Sequence, residues 1–383
     1  SNLDFGLAFS CYGLVAMVAY GLGGPLADRF PPRWLMCLAL AATAFGGTIL
    51  LGTPNRILLC CLYAFFGMTT ILLFWSAMLK VTHALGGTSK QATAFGLLDA
   101  GRGLFAAMIA TILTLLFSQL LPDQQQASPE ELARALRIIV STTVVVVAIT
   151  ALLIPLALMT KNRVSPATPA NLLTTKSVSL LIHRPAIWLH GLVVLCAYCG
   201  YKSIDNYGIF AVDVFGSTDL EASQLTTLTF WARPFAAIAA GLVADRCSHF
   251  KSMATLFILA AMGNLSLMFL VPQTMPWFGL MMVAVTTAAT MYGLRGIYFA
   301  VFDDLQIPTA LVGTAAGIVS LIGFLPDVFF GALTGFLIDN YPGRLGHQFV
   351  FGLVCFVSLI GLTACLWNDS HINSLKKAPS EHT

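Results

Sequence analysis

Seven ionisable side chains stand inside stretches that are otherwise apolar. Asp99 and Arg102 lie three residues apart, as do Lys202 and Asp205, so on a helix each pair shares a face. Arg233 precedes Pro234, Arg295 has Tyr292 and Tyr298 three residues to either side, and Asp327 follows Pro326. A charged residue at the centre of a bilayer-spanning helix costs ~2.5–3.5 kcal/mol on insertion scales, so such residues mark solute or ion pathways by default. Arg grips carboxylate or phosphate in a fork, and aromatic faces stack on sugar rings. Arg102, Lys202, Asp205, Arg233, Arg295 and Tyr292 are therefore the candidate solute-binding residues. Four cations face three carboxylates in this set, which suits a small anionic or polyhydroxylated solute: an organic acid, a sugar acid or a sugar phosphate. Asp99, Asp205 and Asp327 are the candidate proton-coupling groups, because a carboxylate removed from water can take up or release a proton as its surroundings change. The competing reading is structural, with each Asp neutralising a neighbouring cation to hold helices together.

The elements that must position these residues are membrane helices. Hydrophobic residues make up 57% of the 383 and charged residues 10%, far below the roughly 25% charged of a soluble domain. A bilayer span needs ~20 mostly apolar residues, and eleven such runs are present: 5–24, 34–52, 56–79, 92–121, 136–159, 187–214, 222–243, 252–271, 277–302, 309–338 and 344–367. The fourth and tenth runs are longer than a span requires, so tilt or a kink is expected there. None shows the ten-residue alternation of a barrel strand. With the loop near residue 28 cytoplasmic, twelve Lys and Arg fall on the cytoplasmic side and four on the other, which places the C-terminal tail in the cytoplasm. A bacterial inner (plasma) membrane is the expected setting.

Residues 1–24 have no basic stretch ahead of the apolar run and do not read as a signal peptide. The polar segment 161–186 reads as a cytoplasmic linker between helical halves at 1–160 and 187–368, with a tail at 369–383. The halves repeat weakly. GGPLADRFPPR at 23–33 aligns with GLVADRCSHFK at 241–251, with Asp245 and Arg246 following Asp28 and Arg29 by 217 residues. ATAFG at 92–96 aligns with GTAAG at 313–317, 221 residues on. Internal repeats of this kind belong to many secondary transporters. The same offset puts the partner of the span at 187–214 before residue 1, so the chain is expected to lack the first helix of a six-plus-six bundle. A genuine eleven-helix protein is the alternative.

The GGPLADRFPPR segment resembles motif A of the major facilitator superfamily, G-x-L-x-D-R-x-G-R-R/K, through Gly24, Leu26, Asp28, Arg29 and Arg33. Pro31 and Pro32 depart from its tail. Gly241, Asp245, Arg246 and Lys251 form a degenerate second copy. The resemblance implies an all-α polytopic membrane protein, a pseudo-symmetric bundle of six plus six helices with eleven visible here. It also implies that Asp28, Arg29 and Arg33 stabilise the outward-open state. Simple anchoring by positive charge would be the plainer role. The glycine-proline pattern of drug/proton antiporters is missing from the helix carrying GLLDAGRGLFAA, and the preceding helix lacks the mid-membrane Arg common in proton-coupled members.

The expected function is secondary active transport of a small polar, anionic or sugar-like solute by alternating access, as a symport with a proton or other coupling ion. An exporter of amphipathic compounds and a non-transporting membrane sensor are the alternatives. No phosphate-binding loop, HExxH spacing or nucleophile elbow is present, so an enzyme is not expected, nor a cofactor or metal. A net charge of +3, with scattered basic residues, does not point to nucleic acid. The expected partners are the solute, the coupling ion and the lipid bilayer, and the expected state is a monomer. Cys196 and Cys199 form a CxxC within an apolar span and read as packing residues. His83, His183, His190 and His249 lie at span ends and read as interfacial.

Overall fold

The structure, a computed structural model, describes residues 2–52, 54–87, 89–120, 128–159, 179, 181–273 and 276–377. Most of the expected linker and the last residues of the tail fall outside that set. The described residues are helical nearly throughout. In chain order the helices are α1 (Asn2–Arg29), α2 (Pro32–Thr48), α3 (Arg56–Gly67), α4 (Ser76–Gly86), α5 (Gln91–Leu120), α6 (Pro129–Met159) and α7 (Pro185–Ser203). They continue as α8 (Tyr207–Phe215), α9 (Asp219–Arg246), α10 (His249–Phe269), α11 (Trp277–Ile297), α12 (Val312–Gly323), α13 (Pro326–Asn340) and α14 (Arg344–Lys377).

Among the described residues ten helical stretches are long and apolar enough to cross a bilayer, and α1 is an eleventh long helix. Lipid explains their outward faces. Leu14, Phe45, Ile57 and Phe235 are each more than 70% exposed, which would be costly in water and is not in hydrocarbon. Several of the crossings among the described residues are composite, three of them near mid-length. A π-wound segment, Met68–Trp75, joins α3 to α4. A single 3-10 turn, Ile204–Asn206, joins α7 to α8. The crossing at Thr309–Asn340 breaks between Gly323 and Pro326, because proline has no N–H to continue the ladder. That break is the irregularity expected for the long run at 309–338, and it puts Asp327 in the first turn of α13. The other long run stays a continuous helix, α5.

Helix starts follow local chemistry. Ser128 and Glu131 form a reciprocal cap before α6, and Thr218 and Glu221 form another at the start of α9.

The contacts define two compact units. The first comprises residues 1–84, 104–179 and 309–317, the second residues 85–103, 180–308 and 318–383. In the first, α1 packs on α3 and on the π-wound segment, and α2 packs on α6. Trp75 is buried there with its ring edge-on to Tyr20. In the second, α9 packs on α11, α10 on α11 and α14, and α7 on α11, α13 and α14. Cys196 and Cys199 are buried free thiols in α7. His190 departs from the interfacial expectation. It is fully buried, one turn inside α7, with Nε2 2.7 Å from the carbonyl of Tyr298.

Candidate functional site

The first unit carries a buried carboxylate at the end of α1. Asp28 accepts from the backbone N–H groups of Gly313 (3.1 Å) and Thr314 (2.7 Å), from the Thr314 hydroxyl (2.7 Å), and from Lys80 Nζ (2.8 Å). Four donors fill the roughly four acceptor positions of a carboxylate, which is how a charge survives with a fully buried side chain. The N–H groups are the unsatisfied donors of the first turn of α12, where the helix dipole favours an anion. Close approach makes this geometry possible. A Cβ on Gly24, one turn before Asp28, would sit 2.6 Å from the Gly313 carbonyl oxygen. A Cβ on Gly317 would sit 2.7 Å from the carbonyl oxygen of Tyr20.

The second unit repeats the arrangement with different residues. Asp245, at the end of α9, accepts from the backbone N–H groups of Ala92 and Thr93, each at 2.8 Å, in the first turn of α5. A Cβ on Gly241 would lie 2.6 Å from the Ala92 carbonyl oxygen, and Gly96 lies against the carbonyl of Ala237. The segments 23–33 and 92–96, with their copies at 241–251 and 313–317, are thus the two sides of one contact made twice. Arg29, Arg33 and Arg246 stand apart from these caps. Arg29 and Arg33 lie over the neighbouring rings of Phe30 and Trp34, and Arg246 is exposed.

Sequence reasoning missed two partners of the caps. Lys80, a basic residue at a span end, pairs with Asp28. His249 bridges Asp245, at 3.5 Å, and Asp304, at 2.6 Å. Asp303 accepts a long bond from Gln91 Nε2 (3.4 Å). The acidic pair at the end of this span therefore belongs to the contact rather than to open solvent.

The membrane-embedded charges lie in the second unit and form one connected network. Asp99 meets cations from other helices as well as Arg102 on its own. It accepts from Arg233 Nε (3.1 Å) and Nη2 (2.8 Å) on α9 and from Arg295 Nε (3.1 Å) on α11. Gly103 leaves room for Arg233, whose Cδ would be 3.0 Å from a Cβ placed there. The Arg295 guanidinium lies 4.1 Å from the ring centre of Tyr201 and 5.9 Å from that of Tyr198, and its buried Nη1 has no hydrogen-bond partner among the described residues. Arg233 lies 5.9 Å from the ring centre of Tyr292, whose buried hydroxyl likewise has no partner among the described residues. The exposed side chain of Arg102 lies within electrostatic range of Asp99, Arg233 and Arg295.

Tyr198 carries the network onward. Its hydroxyl donates to both oxygens of Asp327 at 3.0 Å. Lys202 reaches Asp327 at 3.8 Å and Asp205 at 3.6 Å. Asp205 also borders a cavity of about 360 Å³ lined by Gly208, Ile209, Val212, Asp213, Ala222 and Thr226. Arg233, Arg295 and Tyr292 thus meet around Asp99, while Lys202, Asp205 and Asp327 form a neighbouring, more open group. Tyr201, absent from the sequence-derived set, is the closest aromatic partner of Arg295. Its place one residue before Lys202 was the available signal.

The long apolar helices make the chain an integral membrane protein. The chain belongs to the Major Facilitator Superfamily, whose family model matches residues 1–331. It is 24% identical over 391 residues to the inner membrane protein YqcE of Escherichia coli, covering 99% of this chain and 89% of that protein. It is 23% identical over 384 residues to the inner membrane protein YihN of the same organism, covering 98% and 89%. Among solved structures it resembles the E. coli fucose:proton symporter FucP, with a TM-score of 0.73 at 17% identity over 95% of this chain and 92% of that one. That likeness is one of fold.

Proposed function

We propose that this chain is a secondary transporter that moves a small polar solute of anionic or sugar-like chemistry by alternating access, in symport with a proton. The observation that carries the reading is the cluster of Arg233 and Arg295 among Tyr198, Tyr201 and Tyr292, with the Nη1 of Arg295 and the hydroxyl of Tyr292 lacking partners among the described residues. Such a group offers fork-like donors for a carboxylate or phosphate and ring faces for a sugar. Arg102 and Lys202 add charge at its edge. The structural neighbour FucP is a fucose:proton symporter, which supports the sugar-like and proton-coupled parts of this reading.

Asp327 is the strongest proton carrier of the three carboxylates. Asp99 is engaged by two guanidiniums, and Asp205 is 64% exposed. Asp327 is half exposed and faces a phenol and an ammonium. The Asp28 and Asp245 caps serve as gating contacts. The setting is a bacterial inner membrane, as for the E. coli relatives, with the C-terminus cytoplasmic. The chain works as a monomer without a cofactor, its helical halves at 1–160 and 187–368 joined by the 161–186 linker.

The test is uptake into proteoliposomes of radiolabelled sugar acids, sugar phosphates and neutral sugars, with and without an inward proton gradient. Gradient-driven accumulation of an anionic solute supports the reading. One observation favours the alternative, export of amphipathic compounds: Arg233, Arg295 and Lys202 all have carboxylate neighbours. Accumulation of an amphipathic dye in inverted vesicles, with no sugar or acid transported, would select it.

A further inference from the structure

The contact between α9 and the first three turns of α5 runs as a ladder along one face. Asp245 caps Ala92 and Thr93, Gly241 lies on Ala92, Ala237 on Gly96, and Arg233 on Asp99 and Gly103. In the first unit the lower rungs recur at offsets of 217 and 221 residues: Asp28 on Gly313 and Thr314, Gly24 on Gly313, and Tyr20 on Gly317. The top rung has no charged counterpart, since the positions those offsets equate with Arg233 and Asp99 are Ala16 and Ser320. The second copy thus carries an ion pair at a rung where the first has Ala16 and Ser320. The partners of Asp99, Arg233 and Arg295, are the residues assigned above to the solute.

We propose that Asp99 is a built-in stand-in for the transported anion. Its carboxylate occupies Arg233 and Arg295 when no solute is bound, and in doing so pins residues 91–103 to α9. An incoming carboxylate or phosphate takes over the guanidiniums, starting from the Nη1 of Arg295, which has no partner among the described residues. Asp99 is then displaced, and the rungs below it lose the contact that holds the segment in register. Solute occupancy is thereby coupled to release of the zipper. The exchange of one anion for another leaves the buried arginines with an anionic partner throughout, and Arg102, three residues along the same helix, remains beside the displaced Asp99. A neutral sugar cannot make the exchange, so the device also selects for charge. The proposal rests on the anionic-solute reading and adds Asp99 to it as a competitor rather than a ligand.

The experiment uses the full chain in lipid nanodiscs, with D-gluconate and glucose 6-phosphate as anionic probes and D-glucose as the neutral one. Amide hydrogen exchange is followed across residues 91–103, and probe affinity is measured for the wild type and for Asp99→Asn. At least one anion is expected to speed exchange in 91–103 of the wild type, opposite to the protection that simple ligand binding gives, while glucose leaves it unchanged. In Asp99→Asn the same anion is expected to bind about tenfold or more tightly, since its competitor is gone, and to change exchange no further. An anion that binds the wild type but slows or leaves unchanged exchange in 91–103, or binds Asp99→Asn no better, overturns the stand-in and leaves the anionic reading standing. If neither anion binds either protein, the anionic reading falls and the stand-in with it. Should Asp99→Asn not fold, the wild-type exchange decides alone.

Discussion

The carboxylate of Asp28 accepts from both the backbone N–H and the hydroxyl of Thr314, each at 2.7 Å. One side chain thus closes the first turn of a helix that begins 284 residues later, at Val312. Asp245 does the same for Ala92 and Thr93. The first copy balances its charge with Lys80, and the second with His249, which also holds Asp304.

Removing one member of the Asp28–Lys80 pair leaves a buried charge alone, a change that costs about 3–5 kcal/mol. Asp28→Asn is expected to lower the thermal midpoint in detergent markedly. Lys80→Met in the same chain should restore part of the loss. A double variant as unstable as the sum of the singles would mean that the two side chains do not interact.

The close approaches at Gly24 and Gly241 leave no room for a methyl group, so Gly24→Ala and Gly241→Ala should each cost about 1–3 kcal/mol through backbone displacement. Both should slow solute flux while the protein remains folded and monodisperse. Wild-type flux in either variant would show that the matching contact is dispensable to the transport cycle.

In the proposed function Asp327 carries the coupled proton. Asp327→Asn keeps the size and loses the titratable group, so it should abolish gradient-driven accumulation but preserve solute exchange down its own gradient. Retained accumulation against a gradient would move the coupling site elsewhere.

Tyr201 supports Arg295 through its ring face, and a partly buried cation–π contact is worth ~0.5–2 kcal/mol. Tyr201→Ala should weaken anion binding by about tenfold, and Tyr201→Phe should stay near the wild type. Equal losses in the two variants would point to the hydroxyl instead.

The sequence made some of this plain and hid the rest for identifiable reasons. Span length and apolarity reveal membrane helices because lipid imposes both. The repeated Gly-x-x-x-Asp and the 92–96/313–317 match were visible because both sides of one contact were duplicated together. The pairing of Asp99 was not visible: three-residue spacing suggests Arg102, but the rotation of α5 against α9 and α11 decides which cations the carboxylate meets. Lys80 and His249 were hidden in the same way, since each looks like an ordinary span-end charge until its neighbouring helix is placed. The π-wound Met68–Trp75 has no signature in a run that is apolar on all sides.

The central claim is an anion-binding group built on Arg295 and Arg233. It is tested most directly by titrating the full-length protein in nanodiscs with sugar acids, sugar phosphates, simple carboxylates and their neutral parents, in parallel with Arg295→Ala and Arg102→Ala. At least one anion should bind the wild type and raise its thermal midpoint, its neutral parent should not, and Arg295→Ala should lose at least about tenfold in affinity, the equivalent of ~1.4 kcal/mol. Binding of neutral sugars alone, or of an anion whose affinity is unchanged in Arg295→Ala, would contradict the account.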